Sequence, residues 1–221
     1  MSETDKIRER YAKRRHINYS DREILFAQYM TEERERIYKR ILESRFKNLN
    51  EIRLLEVGAG AGANISFFKH LGVNPHFIFA NEILEDRLIA LKSNHPDINV
   101  IPGNALDIAV PEKFDVVFQS TVFTSILDDS FRITLAQKMM ELTHGGGIIL
   151  WYDFAFNNPR NPDVKKVTKQ EVRRLFYKAS SMRFHHVTLA PPIGRRVGKL
   201  YPFFNLFPFL RTHIIAEIKL T

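Results

Sequence analysis

Residues 52–64 read IRLLEVGAGAGAN. An apolar segment, predicted as a strand over Ile52–Val57, runs directly into glycines at alternate positions, Gly58, Gly60 and Gly62. Glycine allows a tight turn and leaves no side chain between the backbone and a ligand. A strand, a glycine-rich turn and a following helix together predict a backbone cradle for a small ligand at the N-terminus of that helix.

Strand and helix signals alternate along the rest of the chain. The predicted strands are Ile52–Val57, Pro75–Asn81, Asn99–Ile101, Phe114–Gln119, Ile148–Asp153, Arg183–Ala190 and Thr212–Leu220. The predicted helices between them cover about 63–72, 85–94, 130–143 and 169–178, and Gly145–Gly147 are expected to break the third of these before the next strand. This alternation is typical of an α/β fold with a doubly wound, mostly parallel sheet and helices on both faces.

The first 50 residues are predicted to form a helical annex. Ser20 and Glu23 have the spacing of a capping box, which predicts a helix from there, and Thr31 is expected to begin a second helix that ends near Phe46. We therefore divide the chain into an annex or lid, 1–50, and an α/β domain, 51–221, with a lid insert at 191–211 between the last two strands.

Composition limits the function classes. The 221 residues contain no cysteine, which excludes disulfides, a catalytic thiol and cysteine-ligated zinc. The N-terminal residues have no signal-peptide pattern, and the longest apolar run, 200–210, is about half of the ~20 residues that a membrane-spanning helix needs. We expect a cytoplasmic protein. The net charge is +8, and residues 159–221 carry 13 Lys or Arg against 3 Asp or Glu, which favours contact with an anion or simply keeps the protein soluble.

Five motifs in order resemble one enzyme family. They are Glu56-x-Gly58-x-Gly60-x-Gly62, Phe79-Ala80-Asn81-Glu82-Ile83, Gly103-Asn104-Ala105, Phe114-Asp115-Val116-Val117 and Gly145-Gly146-Gly147-Ile148. Together they resemble the class I S-adenosylmethionine-dependent methyltransferases, with Asn104 where that family commonly has aspartate. The resemblance covers Ile52 to Leu220. It implies a Rossmann-like, seven-stranded, mostly parallel sheet with an antiparallel last strand.

The resemblance also implies the cofactor, S-adenosyl-L-methionine, and its contacts. The glycine turn would pack under the methionine part, Glu56 would lie near its amino group, Glu82 would accept hydrogen bonds from both ribose hydroxyls, and Gln119 would end near the sulfonium. Ile83 would cover the adenine, and Asn104 would meet its amino group. The implied cofactor-binding residues are Glu56, Gly58, Ala59, Gly60, Gly62, Asn64, Glu82, Ile83, Asn104, Ala105 and Gln119.

A dinucleotide is the alternative ligand. Gly58-x-Gly60-x-x-Ala63 also fits a relaxed dinucleotide fingerprint, and Glu82 lies where a ribose-binding acid is expected. The carboxylate of Glu56 favours the methyl donor, because it suits an ammonium and a sulfonium and would repel a pyrophosphate. The two closing strands, which look like the end hairpin of methyltransferases, favour it too.

The reaction needs a base if the acceptor is an alcohol, because the hydroxyl proton must leave. Asp153, after the fifth strand, is the first candidate, His16 in the annex is the second, and Tyr152 would orient the acceptor. No set of histidines and carboxylates has convincing metal-ligand spacing, so no metal is expected.

The class of acceptor is indicated by sequence patterns that are less specific than the five motifs. Gln119-Ser120-Thr121-Val122 stands where amino-methylating enzymes of DNA and some RNA carry Asn/Asp-Pro-Pro-aromatic, so a nucleic acid is disfavoured. The stretches 151–154, 157–163, 189–196 and 210–213 are similar to small methyltransferases encoded beside polysaccharide and glycolipid assembly enzymes. That similarity implies a sugar hydroxyl or a glycan phosphate as acceptor. The candidate acceptor-binding residues are Asn157, Arg160, Arg195 and Arg196.

Three alternatives stay open at this point. The basic and aromatic insert at 191–211 would act as a packed lid, as part of an anion-binding substrate pocket, or as a peripheral membrane contact. The chain as a whole would be an O-methyltransferase, a donor-binding partner subunit without turnover, or an RNA methyltransferase, since fold alone does not separate them. The oligomeric state is not indicated.

Overall fold

Seven strands form one mixed sheet in the computed structural model, which describes residues 2–13, 20–157 and 161–221. The strands are β1 (Leu54–Val57), β2 (Ile78–Glu82), β3 (Asn99–Pro102), β4 (Phe114–Ser120), β5 (Thr143–Phe154), β6 (Ser181–Leu189) and β7 (Arg211–Lys219). Their order is β3-β2-β1-β4-β5-β7-β6, and β7 alone in this sheet runs antiparallel to its neighbours. The predicted fold class is therefore confirmed. The carboxyl ends of β1 to β6 share one edge of the sheet.

Eight α-helices accompany the sheet within the described ranges. They are α1 (Glu3–Ala12), α2 (Asp21–Arg45), α3 (Ala63–His70), α4 (Glu85–Asn94), α5 (Asp129–Leu142), α6 (Lys169–Leu175), α7 (Pro191–Val197) and α8 (Tyr201–Phe204). One apolar core lies between the sheet and α5 and α6, and a second lies between the sheet and α2 and α3. Both faces of the sheet are covered, as its continuous apolar strands require.

The annex contains one long helix where the sequence predicted two. Ser20 and Glu23 form the expected capping box, but the helix continues through Thr31 to Arg45. The prediction of a new start at Thr31 was wrong, because no glycine or proline interrupts residues 21–45. An additional helix, α1, which the sequence analysis did not predict, begins with a second capping box formed by Ser2 and Asp5.

The three glycines before the fifth strand lie inside it. Helix α5 ends at Leu142, and β5 already begins at Thr143, so Gly145–Gly147 do not separate the two elements as predicted. A Cβ atom on Gly147 would lie 2.9 Å from the carbonyl oxygen of Asp115 on β4. The absence of a side chain there allows the two backbones to approach, at a point where the register of β4 and β5 shifts.

The insert between β6 and β7 folds onto α2. Gly194 of α7 packs against Phe26, Tyr201 of α8 stacks on Tyr29 at 4.9 Å between ring centroids, and the hydroxyl of Tyr201 donates to Glu33 at 3.0 Å. Since β6 runs parallel to β5, the insert begins at the edge where the carboxyl ends of the strands lie.

Candidate active site

The glycine turn after β1 has the backbone that its sequence requires. Gly58, Gly60 and Gly62 have φ of +68°, +59° and +89°, a region that side chains with a Cβ rarely occupy. A Cβ on Gly58 would lie 2.6 Å from Cγ2 of Val122, and one on Gly62 would lie 2.4 Å from Cδ2 of His95. Larger residues at these two positions would therefore clash with Val122 and His95 and distort the turn.

Glu82 at the end of β2 organises this turn. The side chain is buried, and its carboxylate accepts hydrogen bonds from the backbone N–H of Gly60 at 2.7 Å, of Ile83 at 2.7 Å and of Leu84 at 2.8 Å. The carboxylate thus lies directly beside the glycine turn and ties β2 to it. A carboxylate can accept about four hydrogen bonds, so these three leave capacity for a ligand hydroxyl.

Glu56 is the second buried carboxylate of this edge. Its Oε1 accepts from Nδ2 of Asn64 at 2.7 Å, while its Oε2 has no hydrogen-bond partner among the described residues. Burial raises the pKa of this carboxyl to about 8, against the lowering effects of Asn64 and of the charge of Arg34. An unpaired buried carboxylate oxygen is costly in the free protein and suits a cationic group of a ligand.

A cavity of about 130 Å³ lies next to these groups. Glu82 lines it, as do four other predicted cofactor residues, Gly58, Ile83, Asn104 and Ala105. The remaining six predicted cofactor residues, Glu56, Ala59, Gly60, Gly62, Asn64 and Gln119, do not line it. Of these, Gln119 is buried and uses its amide internally, donating to the carbonyl of Tyr152 and accepting from the N–H of Val122.

Helix α1 covers this cavity. Ile7 and Tyr11 belong to its lining, the hydroxyl of Tyr11 lies 3.0 Å from Oγ of Ser125, and the guanidinium of Arg87 lies over the Tyr11 ring at 4.5 Å. Arg10 also donates to the carbonyl of Ser125 at 2.9 Å. Sites for small organic ligands usually measure ~300–1,000 Å³. The volume left under α1 is smaller than that.

The sheet order, the antiparallel β7 and a cavity beside Glu82 at the carboxyl ends of β1 and β2 together identify the fold. The chain has the fold of the class I S-adenosylmethionine-dependent methyltransferases. A solved structure of magnesium protoporphyrin IX methyltransferase from Synechocystis PCC 6803, with bound S-adenosylmethionine, superposes with a TM-score of 0.70 over 99% of this chain and 98% of that one, at 10% sequence identity.

Other proteins with this methyltransferase fold differ in their chemistry. The glycopeptide N-methyltransferase MtfA, solved with sinefungin, has a TM-score of 0.58 at 16% identity, covering 83% of this chain and 93% of its own. The cyclase SpnF has a TM-score of 0.60 at 10% identity, covering 85% of this chain and 81% of its own. The sequence matches no protein-family model and no curated protein. These likenesses establish the methyltransferase fold, and the reaction has to be argued from the site.

The first candidate base, Asp153, is fully buried on β5. Its Oδ1 accepts from the hydroxyl of Thr124 at 2.5 Å, and its Oδ2 accepts from the Thr124 N–H at 3.4 Å. Burial raises the pKa of Asp153 to about 7, although both bonds from Thr124 lower it. Asp153 does not line the cavity, so its catalytic role stays a prediction.

A cluster that the sequence analysis missed lies around Tyr152, on the opposite face of β5 from Asp153. The guanidinium of Arg34, from α2, lies 4.8 Å from the centroid of the Tyr152 ring, and the His213 ring from β7 stacks on Tyr152 at 5.4 Å. Arg34 also reaches Ser120, with Nη1 at 3.4 Å from Oγ, and Ser120 lines the cavity. Three segments distant in sequence therefore meet beside the cavity, and no local motif marks them.

The charges in this Tyr152 cluster are unusual. No carboxylate of the described residues lies within ion-pair distance of Arg34, and its Nε is buried without a hydrogen-bond partner among them. Burial, assisted by the charge of Arg34, lowers the pKa of His213 to about 4. At neutral pH His213 is therefore a neutral imidazole beside a guanidinium that has no carboxylate partner within the described ranges.

The predicted acceptor-binding residues are not gathered at this cavity. Arg195 and Arg196 are exposed on α7, and Nε of Arg195 lies 3.8 Å from Oε1 of Glu23. Asn157 is exposed, and its Oδ1 accepts from the N–H of Lys166 at 2.9 Å. His16 and Arg160 lie outside the described residues.

Two features are absent from residues 2–13, 20–157 and 161–221. No group of three or more histidine, cysteine, aspartate or glutamate side chains there is arranged to hold a metal ion. In the same ranges no helix combines the length and the apolar composition that crossing a bilayer would need.

Proposed function

We propose that the protein transfers the methyl group of S-adenosyl-L-methionine to an oxygen of a saccharide, a glycan phosphate or another small anionic acceptor. The observation that carries this proposal is the pair of buried carboxylates at one sheet edge, Glu82 beside the glycine turn and Glu56 with an unpaired oxygen. These groups fit the ribose and the ammonium of the donor, respectively. A pyrophosphate-containing ligand offers no cation to Glu56 and is disfavoured.

When bound, the donor supplies an electrophilic methyl group on a sulfonium. The protein's part is to hold donor and acceptor in line and to exclude water. Gly58 and Gly62 allow Val122 and His95 to pack closely against the turn, and α1 encloses the cavity from the other side. We place the donor between the turn and α1, and because the cavity measures only about 130 Å³, α1 has to move outward when the donor binds.

Arg34 supports an anionic acceptor. A guanidinium without a carboxylate partner, held against Tyr152 and reaching Ser120 at the cavity, can bind a phosphate or carboxylate with two parallel hydrogen bonds. Among the described residues no carboxylate lies close enough to pair with this guanidinium. An anionic acceptor would therefore not have to compete with a carboxylate of the protein for Arg34. Arg34 therefore joins Arg195 and Arg196 as a proposed acceptor-binding residue.

Two residues are proposed as the base. Asp153, with a pKa of about 7, is ionised over much of the physiological range, but Thr124 holds both of its oxygens. His213 is neutral at the same pH, and its Nδ1 lies 3.1 Å from Oγ1 of Thr212, so Nε2 is the nitrogen that we assign to accept the proton. Tyr152, which contacts His213, would orient the acceptor.

The acceptor's place in polysaccharide or glycolipid assembly, and the expected cytoplasmic location, rest on the sequence patterns alone. The competing functions are a partner subunit that binds the donor without turnover and an RNA methyltransferase.

The first experiment is incubation with methyl-labelled donor and three acceptor sets: sugar phosphates, neutral sugars and RNA. We expect label on the sugar phosphates, identified as an O-methyl group by NMR. Label on RNA alone, or tight donor binding with no transfer, would favour one of the competitors.

A second experiment tests the donor site directly. Glu82→Ala removes the proposed ribose acceptor and should weaken binding of S-adenosylhomocysteine by roughly 1–3 kcal/mol, the range for hydrogen bonds to a charged group. Because Glu82 also ties down the glycine turn, the thermal unfolding of the ligand-free variant is measured alongside. Glu85→Ala, at an exposed position on α4, is the control. Unchanged affinity in Glu82→Ala would remove Glu82 from the donor site.

A further inference from the structure

The outer surface of the insert is apolar. Five side chains between β6 and β7, which we call the aromatic face, are 38% to 80% exposed: Leu200, Phe203, Leu206, Phe207 and Phe209. Three of the rings touch in series, with centroid distances of 5.8 Å from Phe203 to Phe207 and 5.8 Å from Phe207 to Phe209. Single exposed apolar residues are ordinary, but a contiguous group of large ones marks an interaction surface.

The aromatic face is not needed to hold the insert in place. Gly194 and Tyr201 make the contacts with α2 described above, and Asn205 donates to Oε1 of Glu33 at 2.8 Å. These groups fix the insert from its inner side. The five apolar side chains of the aromatic face are left on the outside, where exposure has a cost that a covering partner would remove.

The charges around the aromatic face are of one sign. Arg195, Arg196 and Lys199 are exposed directly upstream of it, and residues 191–211 contain four basic residues and no acidic one. Glu23, at 3.8 Å from Arg195, is the one carboxylate within ion-pair distance of these three cations among the described residues. An apolar surface with cations at its border complements a bilayer that contains anionic lipids, whose acyl boundary takes the rings and whose headgroups attract the cations.

We propose that the aromatic face docks this protein onto the surface of an anionic lipid bilayer. A second copy of the chain is the less favoured occupant, because pairing two of these faces would bring eight cations together without a carboxylate from either insert. The inference rests on the surface alone and does not depend on the proposed methyl transfer. The aromatic face belongs to the insert, which begins at the same edge of the sheet as the cavity. Docking through this face would therefore bring a membrane-borne acceptor close to the site.

The test is co-sedimentation of the full chain with two kinds of vesicles, phosphatidylcholine alone and phosphatidylcholine mixed with phosphatidylglycerol. We expect binding to the mixed vesicles, weakened by salt, and much less to the neutral ones. Phe203→Ser combined with Phe207→Ser and Phe209→Ser should abolish binding. Arg196→Gln combined with Lys199→Gln should weaken it about 25-fold, since each basic residue near an anionic surface contributes about fivefold.

Matched controls lie elsewhere on the surface. Ile89→Ser with Tyr177→Ser removes exposed apolar side chains, and Lys92→Gln with Lys113→Gln removes exposed charges. Neither control should change vesicle binding, and circular dichroism should show every variant folded. No binding of the unmodified protein to the mixed vesicles, or binding that survives the triple serine variant, would overturn the proposal. A dimer in light scattering that the triple variant converts to a monomer, without vesicle binding, would assign the face to a second copy instead.

Discussion

The guanidinium of Arg34 lies over the ring of Tyr152, with 4.8 Å between Cζ and the ring centroid. The contact joins α2 to β5 at the edge of the sheet and holds a positive charge beside Ser120, a residue of the cavity wall. Stacking fixes the plane of the guanidinium, which reduces the entropy that it loses on gripping an anion. The proposed acceptor site therefore combines a residue of the annex with residues of the sheet.

Replacing Arg34 should affect the acceptor and spare the donor. Arg34→Gln is expected to raise KM for an anionic acceptor by about 10-fold to 150-fold, the effect of losing a charge-assisted hydrogen bond of about 1.5–3 kcal/mol. The affinity for S-adenosylhomocysteine, measured by calorimetry, should stay within twofold. Arg36→Gln, an exposed position on the same helix, is the control. An unchanged KM in Arg34→Gln would place the acceptor elsewhere.

Donor binding should depend on pH through Glu56. Its carboxyl has a pKa of about 8 in the free protein, so it is mostly protonated at neutral pH, whereas the donor's ammonium favours the ionised form. We expect affinity for S-adenosylhomocysteine to rise between about pH 6 and pH 8, by at most about tenfold per unit. Calorimetry should also register proton release on binding.

The Glu56→Gln variant separates this effect from other titrations. It should bind more weakly at pH 8 and show a flat profile, while Glu141→Gln, on the surface of α5, should follow the unmodified protein. A rising profile that persists in Glu56→Gln would mean that another group controls the donor's ammonium.

The pH dependence of turnover distinguishes the two proposed bases. A base works when deprotonated, so kcat/KM rises with pH through its pKa. If Asp153 is the base, the rise should be centred near pH 7. If His213 is the base, the rise should be centred near pH 4 and be complete by about pH 6. Asp153→Asn and His213→Gln, each assayed with saturating donor, then identify the residue whose loss removes the rise and lowers kcat.

Asp153 should also make stability depend on pH. Its pKa is raised from 3.8 to about 7 on folding, so the folded protein holds this proton more tightly than the unfolded chain. The stabilisation is complete below about pH 4 and is lost as pH rises to about 7, with a slope of at most about 1.4 kcal/mol per unit. Urea unfolding of Asp153→Asn should lack this contribution. An identical pH slope in the variant would show that Asp153 is ionised in the folded protein at all these pH values.

Helix α1 should slow the entry of the donor. Tyr11 and Ile7 line the cavity, and Tyr11 contacts both Ser125 and Arg87. Tyr11→Ala is expected to enlarge the cavity and to speed association of S-adenosylhomocysteine in stopped-flow fluorescence, with faster dissociation as well. Tyr29→Ala on α2, outside the cavity lining, is the comparison, and equal rates in both variants would show that α1 does not limit access.

The sequence predicted best where signals are local. Helix 85–94 was placed with its observed bounds, because acidic residues at its start and the loop before the next strand delimit it. The prediction of two helices in place of α2 was wrong. Thr31 and the glutamates after it form a start signal, but a helix that is already formed continues through such residues. The prediction that Gly145–Gly147 separate α5 from the fifth strand was also wrong. The glycines lie inside β5, where Gly147 allows β4 and β5 to approach closely.

The site was predictable in part. The glycine turn, Glu56 and Glu82 come from one strand–turn–helix unit and the strand next to it, so their neighbourhood follows from the chain. Arg34, Tyr152 and His213 come from three distant elements, and only the packing of α2 across the sheet brings them together. The burial that sets the pKa values of Glu56, Asp153 and His213 is likewise a property of the assembled protein.

Helix α2 runs without a break from beneath the insert to the guanidinium at the site. Gly194 seats against Phe26 so closely that a Cβ there would come within 2.1 Å of the ring, and Arg34 follows about two turns later on the same rod. A rigid rod transmits displacement along its length. We therefore expect alanine at position 194 to displace the insert or α2, and a displaced α2 would move the guanidinium of Arg34 relative to Ser120.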